Sequence, residues 1–254
     1  MAQQATPVRT ARLGRAFGTE PSAVGGVVLL LPGGDEVSER RPSALLATAS
    51  VLALGRKLAR AGRDEGLAAH VVHYRYRGWN GGAAHPARDA GWAADEVQRR
   101  YGDVPVCLAG LGMGGRAALR AAGHEAVTSV LAIAPWLPAE DMAAPPEPVK
   151  QLAGRRVLIV HGTNDGRSDP ELSFRLAARA KKANRDVCRF EVHSDGHGLR
   201  HYRDEVAALA ADFVLGSLFG RAFSRPVVDA LAAPPPLGLR MPLAAGFGGT
   251  LRRR

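Results

Sequence analysis

An α/β fold, a mostly parallel central sheet with helices on both faces, is predicted by three features of this 254-residue chain. Short apolar runs of strand length alternate with helix-length segments, the order that builds a parallel sheet covered on both faces. The run Val106–Leu111 passes directly into Gly112-Met113-Gly114-Gly115 and then into the helix-forming Arg116–Ala122, a strand, a tight turn and a helix. The connection 135–154 is short and proline-rich, so no large lid domain is encoded there.

Taken in order, Gly26–Leu31 reads as a buried strand ended by Pro32-Gly33-Gly34. A helix is predicted from about Ser43 to Ala61, a strand over Ala68–Tyr74, and a helix over Pro86–Tyr101 with Trp92, Val97 and Tyr101 partly on one side. After the glycine turn come strands at Val127–Ala134, Arg156–His161 and Cys188–Val192, with helices at Glu171–Lys182 and His201–Leu218. The chain divides into an N-terminal extension (1–24), one α/β unit (25–220) and a tail (221–254). That tail, with Ala-Pro-Pro-Pro, Gly-Phe-Gly-Gly-Thr and three terminal arginines, is expected to be largely flexible or an extended strap.

The composition is 46% hydrophobic and 23% charged, ordinary for a globular protein. Net charge is +10, but residues 1–24 contribute +2 and 221–254 contribute +5, which leaves +3 for the α/β unit. A basic excess in the ends rather than on a face argues against specific nucleic-acid binding. No apolar run approaches the roughly 20 residues that span a bilayer, and no apolar signal segment stands near the start. Cys107 and Cys188 both fall in strand-like segments and read as reduced, buried thiols. A cytoplasmic protein with no membrane partner is expected; a homo-oligomer stays open.

The chemistry-bearing positions lie at the predicted strand ends. Gly110-Leu111-Gly112-Met113-Gly114 has the setting of a Gly-x-Ser-x-Gly nucleophile elbow, with glycine in place of the serine. His161-Gly162-Thr163-Asn164-Asp165 puts Asp165 just after the next-but-one strand, and Ser194-Asp195-Gly196-His197-Gly198 puts His197 on the loop after the following one. Parallel strands share one carboxyl edge, so Gly112, Asp165 and His197 can converge there.

The chain from about Gly26 to Leu218 resembles small, lidless bacterial α/β-hydrolases. Leu31-Pro32-Gly33-Gly34, Tyr76-Arg77-Gly78-Trp79-Asn80-Gly81, the Gly110–Arg116 elbow, Ala134-Pro135-Trp136, His161–Asp165 and Gly196-His197-Gly198 carry the resemblance, in chain order. Members typically read Gly-His-Ser-Met-Gly-Gly at the elbow; here Leu111 replaces the histidine and Gly112 the serine. The resemblance implies that Asp165 is the acid and His197 the base. It also implies an oxyanion hole from the N–H of Met113 and that of Gly34 or Asp35, with Trp136 and Trp79 as an apolar wall.

Without a hydroxyl at 112 no acyl-enzyme forms by the usual route. Glycine in return enters the strained elbow without a Cβ clash, a relief of about 1–3 kcal/mol. A histidine held by a carboxylate still serves as an acid–base group without a serine. The favoured reading is therefore an enzyme using a His197–Asp165 dyad for hydrolysis, elimination or cyclisation of a small organic molecule, with no cofactor. The alternative is an inactive hydrolase homologue that binds a ligand or acts as a scaffold.

Other signals fall short. Gly110–Gly115 also fits Gly-x-Gly-x-x-Gly, yet the next strand ends Ala134-Pro135-Trp136 with no acidic residue for a ribose. His161, His193, His197 and His201 lack a completing ligand set, so no metal is expected. His70 and His73, Arg75 and Arg77, and Lys181 and Lys182 read as packing or surface positions. Cys107, Ser168, Ser194 and Asp169 are not aimed at the elbow as substitute nucleophiles.

Overall fold

The computed structural model describes residues 9–20, 23–41, 46–139 and 146–249. In chain order, strands β1 (Arg12–Leu13), β2 (Phe17–Gly18) and β3 (Gly26–Leu31) precede helix α1 (Leu46–Ala61) and strand β4 (Leu67–His73). Helix α2 (His85–Tyr101), strand β5 (Val106–Leu111), helix α3 (Met113–Ala121) and strand β6 (Val127–Ile133) follow. Then come β7 (Arg156–Gly162), α4 (Pro170–Ala183), β8 (Val187–Val192), α5 (Arg203–Phe219), α6 (Arg225–Ala232) and β9 (Met241–Pro242).

The strands form one sheet in the order β1-β4-β3-β5-β6-β7-β8-β9, with β2 also paired to β4. From β4 to β9 every neighbouring pair is parallel, and β1 and β2 run antiparallel on the outer edge. Burial on both faces explains why the central strands read as unbroken apolar runs. Successive β5 residues alternate between the two cores: Val106 and Leu108 pack with α2, α3 and α4, while Cys107 and Ala109 pack with α1, α5 and α6.

The chain leaves β3 through α1 toward β4 and returns through α2 to β5 on the other side of β3. That reversal opens a crevice at the carboxyl ends of β3 and β5, where open α/β sheets bind ligands. Steep glycine requirements shape it. A Cβ on Gly114 would overlap the Leu31 carbonyl oxygen, and one on Gly110 would overlap the Gly114 carbonyl oxygen. Helix α3 thus lies close against the sheet at the turn.

Both ends of the chain differ from expectation. Residues 12–18 of the N-terminal extension are paired with β4 rather than separate from the α/β unit. The tail carries folded elements within 221–249: α6 buries Val227 and Ala230, and β9 extends the sheet beside β8. Asp212 anchors the start of α6 by accepting from the Ser224 N–H at 3.1 Å and its hydroxyl at 2.6 Å. The remainder of that tail, 250–254, lies outside the described residues. Among the described residues no helix is long and apolar enough to cross a membrane.

Candidate active site

At the end of β5, Gly112 turns the chain into α3 with φ 54° and ψ −118°, backbone that L side chains adopt only under strain. Its N–H donates to the Ile133 carbonyl at 2.9 Å, and its own carbonyl accepts from Trp136 N–H at 3.0 Å. The elbow is therefore tied to the end of β6 from both sides. Ala134, at φ 43°, makes the bend that brings Trp136 back to it.

The loop after β7 delivers Asp165 and the loop after β8 delivers His197. His197 Nδ1 lies 2.8 Å from Asp165 Oδ2, and His161 Nε2 lies 3.1 Å from the same oxygen. Asp165 Oδ1 accepts the backbone N–H groups of Arg167 at 2.8 Å and Ser168 at 3.0 Å. Burial alone would raise this carboxyl, but the donors from His161, Arg167, His197 and Ser168 together hold it well below the usual carboxylate range. His161 is itself fully buried, its Nδ1 2.9 Å from Ser173 Oγ and its Nε2 also near the Ser168 carbonyl at 3.1 Å.

The far nitrogen of His197 faces the elbow. A Cβ built on Gly112 would sit 3.3 Å from His197 Nε2. Gly112, Asp165 and His197, expected at one sheet edge, stand together here. The buried contact of Asp165 with His161 has one sequence signal, their spacing of four positions across the strand-to-loop turn.

A cavity of about 660 Å³ opens over this group, lined by Gly33, Gly34, Gly112, Met113, Trp136 and His197 among others. Asp35, Glu36, Arg77, Arg167 and Ser168 supply its polar walls. Met113 opens α3, so its N–H has no partner within the helix. Asp35 differs from expectation: its N–H is already donated to the Arg77 carbonyl at 3.1 Å, and its carboxylate pairs with the Arg77 guanidinium at 2.9 Å. Of the two backbone donors expected there, Gly34 is the one not committed to Arg77. A Cβ on Gly34 would overlap the Arg77 carbonyl oxygen and would stand 3.4 Å from Met113 Cγ, so glycine lets this loop close on the elbow.

Trp79 is not a wall of the cavity. It is buried beneath Arg116, whose guanidinium carbon lies 3.9 Å from the Trp79 ring centre and 5.1 Å from that of Trp136. Glu147 pairs with both Arg116 at 2.9 Å and Arg120 at 2.6 Å, pinning the β6–β7 connection to α3. Among the described residues no cluster of three ligating side chains could hold a metal ion.

No protein-family model and no curated protein matches the sequence. Solved structures do. Est1E from Butyrivibrio proteoclasticus, with ferulic acid bound, superposes with a TM-score of 0.59 at 14% identity, covering 82% of this chain and 95% of that one. XC6422 from Xanthomonas campestris, described as an α/β serine hydrolase without a lid, gives 0.57 at 16% identity over 84% and 91%. ATU1826 from Agrobacterium tumefaciens, a putative α/β hydrolase, gives 0.56 at 17% identity over 84% and 94%. The chain has the lidless α/β-hydrolase fold.

Within this α/β-hydrolase fold, Cys107 and Asp169 have structural duties, and Ser194 and Ser168 stand in loops beyond the strand ends. Cys107 is fully buried in β5, where desolvation pushes its thiol up to about 12. Asp169 caps α4 by accepting the Glu171 N–H at 2.8 Å. Ser194 lies in an exposed turn with φ 59°. Ser168 Oγ is buried and unpartnered in the cavity wall.

Proposed function

We propose that this α/β-hydrolase-fold protein is an acid–base enzyme acting on a small organic molecule without an acyl-enzyme intermediate. The observation that carries this is His197: one ring nitrogen is fixed on Asp165 at 2.8 Å and the other faces the space above Gly112. Asp165 accepts a hydrogen bond from Nδ1–H, which fixes the tautomer and leaves the Nε2 lone pair toward the cavity. Asp165 stays ionised throughout and stabilises the imidazolium that forms.

Where an elbow serine would stand, glycine leaves room for a water or a substrate group. Nε2 removes a proton from that water or from the substrate and returns it to the leaving group. The N–H groups of Met113 and Gly34 supply donors for a developing oxyanion. Direct hydrolysis, elimination and cyclisation all need only this proton transfer and charge stabilisation.

The test is turnover of nitrophenyl acetate and a panel of small esters and lactones by the wild-type chain and by His197→Ala. A general base contributes about 10²–10⁴-fold, so the variant should lose activity on that scale while keeping its thermal unfolding profile. Equal rates in the two proteins would overturn the proposal. A second reading, ligand binding without turnover, is favoured by the missing hydroxyl at 112; it stands if neither protein turns over any of the panel.

A further inference from the structure

A carboxylate offers about four lone-pair sites, and four donors meet those of Asp165. Oδ1 accepts the N–H groups of Arg167 and Ser168, while Oδ2 is shared by two imidazoles, His197 Nδ1 at 2.8 Å and His161 Nε2 at 3.1 Å. His161, in the last turn of β7 before the acid loop, is fully buried and does not line the cavity. Its Nε2 also stands 3.1 Å from the Ser168 carbonyl. Both neighbours of that nitrogen are acceptors, so Nε2 carries a proton. On the other side of the ring, Nδ1 lies 2.9 Å from Ser173 Oγ on α4, which receives the Arg189 Nε–H from β8 at 3.0 Å. Ser173 and Arg189 are as deeply buried as the ring they hold. Three elements, β7, α4 and β8, thus aim this ring at the acid.

We propose that His161 is a positioning residue of this site: it donates to the carboxylate oxygen that also receives His197, and so sets how firmly Asp165 holds the His197 ring and its proton. An N–H on Oδ2 draws off part of the negative charge that would otherwise go wholly to His197. Burial pushes this carboxyl up, and His161 is the first of the donors that together bring it below the usual range. A loosened grip lets His197 return its proton to a leaving group more readily, the half of the acid–base cycle that an undivided charge on Oδ2 would slow. His161 takes its catalytic meaning from the acid–base reading proposed above; its bond to Asp165 stands without it. Asp35, Glu36, Arg77 and Arg167 face the cavity with His197, Arg200 lies beside Gly198, and Arg189 with its partner Glu191 stands behind His161. All of these charges remain in the variants below, so their fields cancel in the comparison.

The test is the pH titration of the His197 ring protons by NMR in the full-length chain, assigned by their loss in His197→Ala. His161→Phe keeps a ring in the core and removes the donor, so the His197 midpoint should rise by at least about 0.5 pH unit, a roughly threefold gain in proton affinity. His161→Gln, whose side-chain amide donates toward the same oxygen, should return the midpoint to within about 0.2 pH unit of wild type. On any ester or lactone that the wild type turns over, the acidic limb of kcat/KM should move up in His161→Phe together with that midpoint. The wild-type chain supplies a measurement that needs no variant: its nitrogen-15 spectrum should show a proton on His161 Nε2. A His197 midpoint unmoved in His161→Phe, a glutamine variant displaced as far as the phenylalanine one, or an Nε2 without a proton overturns the inference. A displaced midpoint without any His197-dependent turnover would refute the acid–base proposal alone.

Discussion

Serine at position 112 would place its Cβ 3.3 Å from His197 Nε2, a contact that the partly exposed imidazole can relieve by shifting a few tenths of an ångström. The larger penalty is the backbone, because φ 54° at a residue with a Cβ costs about 1–3 kcal/mol. Gly112→Ser should therefore fold, unfold a few degrees lower, and gain one fluorophosphonate adduct by intact mass; a folded variant that resists labelling would show the histidine is not poised. Asp165 makes a pH-dependent prediction. Its carboxyl is depressed in the folded chain, so it stabilises fully above the ordinary carboxylate value near 4 and loses that contribution as pH falls toward its folded value. Asp165→Asn should thus be least stable relative to wild type at pH 7, with the gap narrowing at pH 3 in urea unfolding. A gap independent of pH would contradict the hydrogen-bond account.

At the scale of elements, the elbow turn and the middle of α2 ask opposite things of glycine. Gly114→Ala drives a methyl into the Leu31 carbonyl oxygen, a backbone clash that neither strand nor helix can yield to, and should cost more than about 3 kcal/mol. Gly91→Ala meets nothing within 4 Å inside α2 and should stabilise by about 0.5–1 kcal/mol through helix propensity. Denaturant midpoints for the two variants check the pair. These elements were legible because buried parallel strands are apolar throughout and α2 and α4 carry one buried stripe. Two-residue strands such as β1, β2 and β9 have no period to read. Helix α6 was readable: Ser224 followed by a proline in the first turn is a start signal, obscured by the Pro-rich run after it. The convergence of Gly112, Asp165 and His197 was legible from chain order alone, since a parallel sheet sets its loops at one edge. A cavity of about 410 Å³ between α1 and α5 was not, because its walls come from those helices, the ends of β5 and β6 and the His197 loop, which meet only through packing.

For the molecule as a whole, the C-terminal segment behaves as part of the core rather than as an appendage. Arg189 of β8 is 1% exposed, and its charge is met by Glu191 at 2.7 Å, Ser173 Oγ at 3.0 Å, the Pro170 carbonyl at 3.1 Å and the Leu239 carbonyl at 2.9 Å. The last of these comes from the tail, as does the Leu231 carbonyl that accepts from Lys181 Nζ at 2.9 Å. Ending the chain at Gly220 would expose the surface now covered by Val227, Leu239 and Leu243 and would strip one acceptor from a buried cation. Each buried aliphatic side chain contributes about 1.5–3 kcal/mol, so three of them together match much of the roughly 5–15 kcal/mol that holds a domain folded. The truncated chain should consequently lose its cooperative thermal transition, whereas Leu239→Ala in the full chain should keep one, lowered by about 2–5 kcal/mol. Hydrogen exchange localises the effect: amides of β8 should lose protection in Leu239→Ala before those of β3 and β5. A truncated chain that melts at the wild-type temperature would mean that the sheet ends functionally at β8 and that β9 merely rests against it.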